Sequence, residues 1–215
     1  MTSKAFTRQP MMQRRKQMKI MLDCSPAKIE EYSKRYNYNF GQLRTPLTAY
    51  ALSGKVYGLD NGCFSKFNKK TWIRLVTEAK ENEYPKFVCA PDIVGDARRT
   101  LELFDQFYDD IKPLPVALVL QDGIGNFAID WNKVDAVFVG GSDAFKVSSE
   151  AFNACKAAKM LDKWVHVGRV NTAQRVSNWI GLADSIDGSG ISKYDYMLEA
   201  VLSELLGEKA QKELI

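Results

Sequence analysis

The sequence contains few of the residues that build metal sites and disulfides. Its 215 residues include one histidine and four cysteines. Cys24, Cys63, Cys89 and Cys155 are widely separated and form no CxxC or CxH pair, which excludes the usual spacing of a structural zinc site. Scattered cysteines of this kind are typical of a reduced, intracellular protein.

Long apolar runs and several common site motifs are also absent. No apolar run approaches the roughly 20 residues of a membrane span, and the N-terminus is too polar for a secretory signal. We therefore expect a cytoplasmic protein with no membrane contact. The chain lacks GxGxxG after a strand, GxxxxGK[ST], HExxH and GxSxG. The sequence motifs of dinucleotide, nucleoside triphosphate, zinc-protease and esterase sites are thus absent.

The composition that is present predicts one globular domain. Hydrophobic residues make up 46% and charged residues 26% of the chain, and 30 basic against 26 acidic residues give a net charge of +4. This excess permits an anionic partner without requiring one. We divide the chain into a flexible basic arm, residues 1–17, and a single catalytic domain, residues 18–215. The arm is interpreted either as a solvated terminus or as a contact to phosphates.

Short β-rich segments alternate with helical patterns along this domain, which predicts a parallel sheet. The predicted strands are residues 19–24, 56–59, 87–90, 116–120, 136–139, 164–167 and 185–186. The predicted helices are residues 26–36, 70–82, 96–111, 148–160, 172–180 and 192–206.

These elements favour a TIM-type (β/α) barrel. A barrel usually needs about 250 residues, so one of this length is expected to be compact or incomplete. An eighth strand is not evident, although residues 43–52 could contribute an irregular segment to the sheet. A doubly wound open sheet is the alternative, because strand–helix alternation does not distinguish the two folds.

A carboxylate, an amide or a glycine pair follows several predicted strands, which end at one mouth in a barrel. Any single instance is also typical of a turn or a helix cap, but the series favours a site. The residues are Asp60 in LDNG, Asp92 and Asp96 in APDIVGD, Gln121 and Asp122 in LQDG, Gly140 and Gly141 in VGGS, and Asp187 in SIDGSG.

Two carboxylates across a pocket can act on a sugar, one attacking the anomeric carbon and the other moving a proton. Asp187 and Asp60 are candidates for such a pair. The single histidine, His166, is assigned a structural role in preference to that of a base or phosphate ligand. Arg169 and Lys146 are candidates for pairing with phosphate.

The order of these motifs resembles the tRNA-guanine transglycosylase superfamily, especially its small phage members that place 7-deazaguanines in DNA, the deoxypurine-in-DNA family. The resemblance spans about residues 56–194. LDNGCF resembles the turn that bears the proton-handling aspartate, which implies that Asp60 is the general acid/base. APD, LQDG and FVGGS resemble the segments that hold the base, which implies Asp92, Gln121, Gly140 and Gly141.

The longest match, VHVGRVNTAQRVSNWIGLADSIDGSG, resembles the stretch that leads to the nucleophilic aspartate. Its register selects Asp187 over Asp184, to which we assign a structural role. The chain departs from the tRNA enzymes because it has no cysteine-rich zinc module after the nucleophile. We therefore expect no zinc subdomain, and DNA is preferred to tRNA as the substrate.

The resemblance implies a pentosyltransferase that exchanges guanine in DNA for a base such as 7-cyano-7-deazaguanine, through a covalent aspartyl-glycosyl intermediate and without a metal or cofactor. A phage origin would place it in the host cytoplasm.

Three alternative functions stay open: a tRNA-directed transglycosylase, a nucleic-acid N-glycosidase and a non-catalytic nucleic-acid-binding subunit. A homo-oligomer and an accessory protein also stay open as partners. The candidates for phosphate binding are Arg169, Lys193, Arg14, Arg15 and Lys16.

Overall fold

The computed structural model describes residues 18–207, which form a closed barrel of eight parallel strands in sequence order. The ring closes where β8 pairs with β1 and Ile20 lies opposite Ile186. The predicted TIM-type barrel is therefore confirmed. The strands are β1 (Lys19–Leu22), β2 (Gly41–Arg44), β3 (Tyr57–Leu59), β4 (Val88–Cys89), β5 (Val116–Leu120), β6 (Ala136–Val139), β7 (Trp164–Val167) and β8 (Ser185–Asp187).

Helices outside the barrel connect most consecutive strands, but β2 and β3 are joined without a helix and β5 and β6 by a 3-10 turn alone. A second 3-10 turn follows β6. None of the helices in residues 18–207 is long and apolar enough to cross a membrane. The α-helices are α1 (Pro26–Arg35), α2 (Lys69–Glu81), α3 (Ala97–Ile111), α4 (Ser149–Met160), α5 (Ala173–Ser177), α6 (Ser189–Lys193) and α7 (Asp195–Leu206).

Of the two forms expected, compact or incomplete, the barrel is complete, because β2 supplies the eighth strand that the sequence does not make evident. Its sequence, GQLR, lacks an apolar run, yet all four residues are buried. Gln42 donates from Nε2 to the carbonyl oxygen of Ala51 at 2.9 Å, and Arg44 donates from Nε to that of Tyr50 at 2.8 Å. A Cβ on Gly41 would lie 2.8 Å from the carbonyl oxygen of Val56, so β2 needs a glycine there. A closed ring also excludes the doubly wound open sheet.

The last predicted helix, residues 192–206, is also corrected. The chain forms two helices here, α6 and α7, because Tyr194 between them has extended backbone angles. Elsewhere the predicted starts hold: Ser148, Asp96 and Thr172 each accept a hydrogen bond from a backbone N–H in the first turn of a helix.

Two apolar layers stabilise the barrel. The larger lies between strands and helices and contains the fully buried rings of Trp72 and Trp179. The smaller fills the interior of the barrel, where Phe138 and Trp164 pack against it. Its members are Met21, Leu43, Phe87, Cys89, Ala117, Val119 and Ala136. This inner layer supports the residues at the carboxyl ends of the strands.

Candidate active site

The carboxyl ends of the strands surround one cavity of about 760 Å³. Cavities of this size hold small organic ligands, and this end of a TIM-type barrel is where catalytic residues lie. The cavity wall includes nine of the residues predicted from sequence: Asp60, Asp92, Gln121, Gly140, Gly141, Lys146, Arg169, Asp187 and Lys193. Three further candidates, Arg14, Arg15 and Lys16, lie outside the described residues.

Asp60 follows β3 in the depth of the cavity. Its Oδ1 accepts a hydrogen bond from the backbone N–H of Asn61 at 2.8 Å. Burial, together with the negative charges of Asp187 and Asp92, raises the pKa of Asp60 to about 7. Near neutral pH the carboxyl group is therefore present in both protonation states, which suits it to give and to take a proton.

Asp92 follows β4 and lies at the centre of a buried network. Its Oδ1 accepts from Nδ2 of Asn61 at 2.7 Å, and its Oδ2 accepts from Nε2 of Gln121 at 2.6 Å. Oε1 of Gln121 accepts from the backbone N–H of Gly95 at 2.8 Å, which fixes the orientation of the amide. Burial raises the pKa of Asp92, while the two amide donors oppose that rise. The network presents polar groups of fixed direction to a ligand.

Gly140 and Gly141 follow β6 and keep the wall beside Gln121 open. A Cβ on Gly140 would lie 2.7 Å from Nε2 of Gln121. Gly141 has a φ of +67°, and its Cβ would lie 2.6 Å from Cδ1 of Phe145. Larger residues would therefore displace the Gln121 amide or the loop that follows β6.

Asp187 ends β8, and its side chain is 13% exposed. Its Oδ1 lies 2.9 Å from Nε2 of His166, which is completely buried in β7. Nδ1 of His166 lies 2.7 Å from Oγ of Ser185. The histidine is thus buried and hydrogen-bonded, and one of its partners is the predicted nucleophile. Asp184 instead precedes β8, where it accepts from Nζ of Lys159 at 2.8 Å, and it is not part of the wall of this cavity.

Two cations link the loops that follow β6 and β7. Arg169 has a φ of +61° and donates from Nη2 to the carbonyl oxygen of Gly141 at 2.6 Å. Its guanidinium also stacks on the ring of Phe64 at 4.1 Å from the centroid. Lys146 donates from Nζ to the carbonyl oxygen of Gly168. Burial and the nearby charge of Arg169 lower the pKa of Lys146 to about 8.

The cavity contains a further carboxylate that the motifs do not single out. Asp23 directly follows β1 and accepts from Oγ1 of Thr48 at 2.6 Å. Burial, and to a lesser extent the charge of Asp187, raises the pKa of Asp23. The exposed Lys193 lies close enough to Asp23 to oppose that rise. The rule that an acid after a barrel strand points to the mouth applies to Asp23 as it does to Asp60.

Within residues 18–207 no group of three or more histidine, cysteine, aspartate or glutamate side chains is placed to hold a metal ion. In comparisons with known proteins, no family model matches the chain and no curated protein is significantly similar to it. The chemistry of the cavity therefore carries the functional argument.

Proposed function

We propose that this protein is a nucleobase transglycosylase that exchanges guanine in DNA for a 7-deazaguanine through a covalent aspartyl-glycosyl intermediate. The observation that carries the proposal is the position of two unlike carboxylates, Asp60 and Asp187, in one cavity beside a fixed carboxylate–amide pair, Asp92 and Gln121. Because the two carboxylates have different surroundings, Asp187 can attack while Asp60 moves a proton.

The carboxylate–amide pair matches the edge of guanine. The oxygens of Asp92 use one lone pair each on Asn61 and Gln121, so the carboxylate keeps capacity for the N1–H and 2-amino donors of guanine. The second amide hydrogen of Gln121 suits the O6 acceptor. A 7-deazaguanine presents the same edge, because it differs from guanine at position 7. One pocket thus serves both the leaving and the incoming base.

In the first step, an oxygen of Asp187 forms a bond to C1′ while the bond from C1′ to the guanine nitrogen breaks. The electron pair of that bond passes to the departing base, which takes a proton from Asp60. In the second step, ionised Asp60 removes a proton from the incoming base. The base nitrogen then attacks C1′ and releases the Asp187 carboxylate.

The target nucleotide enters in an extrahelical position, because a stacked base keeps C1′ out of reach of a group inside a barrel. Arg169 and Lys193 on the cavity wall provide positive charge for the flanking phosphates. The exposed Phe64, Tyr50 and Leu47 add apolar surface at the same mouth. The preference for DNA over tRNA comes from the resemblance to the small phage members.

The direct test incubates the protein with labelled 7-cyano-7-deazaguanine and either guanine-containing DNA or tRNA, and then measures label in each polymer. We expect label in DNA, and none with Asp187→Asn. Asp96→Asn is the matched control, since Asp96 caps α3 and asparagine also caps helices.

The other outcomes separate the alternatives. Label in tRNA alone contradicts the DNA assignment. Release of guanine without incorporation identifies an N-glycosidase. If no label enters either polymer while Asp187→Asn binds DNA as the parent does, the chain is a binding subunit.

A further inference from the structure

A chain of three hydrogen bonds leads from the interior of the barrel to Asp187. Nε1 of Trp164 donates to Oγ of Ser185 at 2.8 Å, Oγ of Ser185 lies 2.7 Å from Nδ1 of His166, and Nε2 of His166 lies 2.9 Å from Oδ1 of Asp187. We propose that this tryptophan–serine–histidine chain fixes the tautomer of His166 and so selects which oxygen of Asp187 attacks the sugar. The inference rests on the proposed function, which makes Asp187 the nucleophile.

The direction of the chain follows from what each group can donate. An indole N–H only donates, so Ser185 accepts from Trp164 and its own hydroxyl hydrogen is available for Nδ1 of His166. An ionised carboxylate only accepts, so Nε2 of His166 carries the hydrogen that points to Asp187. The opposite tautomer would place a nitrogen lone pair against a carboxylate oxygen. These three hydrogen bonds therefore favour the tautomer with the hydrogen on Nε2, in which each ring nitrogen has a matching partner.

Packing prevents the imidazole from leaving this orientation. His166 and Ser185 are both fully buried and lie opposite each other where β7 pairs with β8. The imidazole packs against the rings of Phe87 and Phe138, with centroids 4.8 Å and 4.7 Å away, and these two rings also contact each other. A buried ring held by two aromatic neighbours and two hydrogen bonds has one stable orientation.

The hydrogen bond to Oδ1 leaves Oδ2 of Asp187 as the attacking oxygen. When the C1′–Oδ2 bond forms and the bond to guanine breaks, Oδ1 becomes the carbonyl oxygen of the ester and still accepts from His166. When the incoming base attacks, the C1′–Oδ2 electron pair returns to the carboxylate, and the same N–H stabilises the restored charge. His166 is thus a positioning residue that does not touch the substrate.

The tautomer can be observed directly, because His166 is the only histidine in the chain. Nitrogen NMR of the full-length protein grown with isotope-labelled histidine reports this one side chain. We expect a protonated Nε2 and an unprotonated Nδ1. A spectrum of the Nδ1-protonated tautomer or of the imidazolium would overturn the proposal. This measurement needs no activity, so it tests the tautomer of His166 even if the parent protein exchanges no base.

Two substitutions then test the effect on chemistry. His166→Phe keeps a ring against Phe87 and Phe138 but removes the donor, whereas His166→Gln keeps a terminal N–H. We expect His166→Phe to slow formation of the covalent DNA–enzyme intermediate about 10- to 100-fold, with unchanged affinity for DNA. His166→Gln should recover about tenfold of that loss.

Three kinetic results count against the proposal: a parent rate in His166→Phe, equal losses in both variants, or a change confined to DNA affinity. If circular dichroism shows that His166→Phe does not fold, Ser185→Ala replaces it. That variant removes the donor to Nδ1 and the Ser185 acceptor of Trp164, so we expect a weaker preference for the Nε2-protonated tautomer together with a slower first step. A parent-like spectrum and rate in Ser185→Ala would also overturn the proposal. If the parent shows no exchange into either polymer, the proposed function fails separately.

Discussion

Replacing Asp60 with asparagine should stabilise the fold, and the gain should depend on pH. Burial and two neighbouring carboxylates raise the pKa of Asp60 from 3.8 to about 7. Ionising this group therefore costs about 4 kcal/mol more in the folded protein than in the unfolded one. A carboxyl group with a raised pKa in the folded state costs stability as the pH rises from the unfolded pKa to the folded one. The cost should thus grow between about pH 4 and pH 7 and stay constant above.

The assay is urea unfolding of the parent protein and of Asp60→Asn at pH 5 and pH 8.5, followed by circular dichroism. Asparagine keeps an oxygen for the backbone N–H of Asn61, so little else changes. We expect the free energy of unfolding of the variant to exceed that of the parent by up to about 4 kcal/mol at pH 8.5 and by clearly less at pH 5. Base exchange should be lost at both values.

Asp96→Asn is the control for removing a strand-end carboxylate outside the cavity. The difference between its stability and that of the parent should be similar at the two pH values. A constant difference for Asp60→Asn, or a loss of stability that grows with pH, would refute the reasoning that burial and like charge hold Asp60 protonated. The outcome bears on the site whatever reaction it performs.

Three further outcomes are expected. Arg169→Ala should weaken DNA binding for all sequences and reduce the salt slope by about 1 in a titration; an unchanged slope would remove it from the phosphate contacts. Gly140→Ala should lower affinity for the free base at least about tenfold in calorimetry, because the new Cβ meets the Gln121 amide; unaltered affinity would show that the base lies elsewhere. In single-turnover assays, the first step should slow above about pH 7 as Asp60 loses its proton, and a flat profile would exclude Asp60 as the acid.

Elements with continuous apolar runs could be predicted from the sequence to the residue. β5, β6 and β7 have the predicted bounds because each is a run of four or five mostly apolar residues that is followed at once by a polar residue or a glycine. β2 could not be predicted in this way. Its glutamine and arginine are buried through hydrogen bonds to backbone carbonyls, and that compensation depends on loops distant from any local pattern.

In the candidate site, too, some residues follow from the local sequence and others depend on contacts between distant segments. The position of an acid after a strand indicates Asp60, Asp92 and Asp187, because parallel strands of a barrel end at one mouth. The partner of His166 cannot be predicted in this manner, since it depends on the register between β7 and β8. Lys146 is a phosphate candidate from the sequence, but no motif predicts that its ammonium donates to the carbonyl oxygen of Gly168 after β7.

The stacking of Arg169 on Phe64 joins opposite sides of the barrel mouth, because their loops follow β7 and β3, four strands apart in a ring of eight. Under the proposed function, a nucleotide carried on a strand is bulkier than a free base, so we expect that its entry requires Arg169 and Phe64 to separate. Under the proposed function, separating the two would uncover the face of a guanidinium that still donates to the carbonyl oxygen of Gly141, on the side where a backbone phosphate is expected. Under the proposed function, opening of the mouth and capture of the polymer would thus be a single event, and the order in which substrates enter would be set by the polymer.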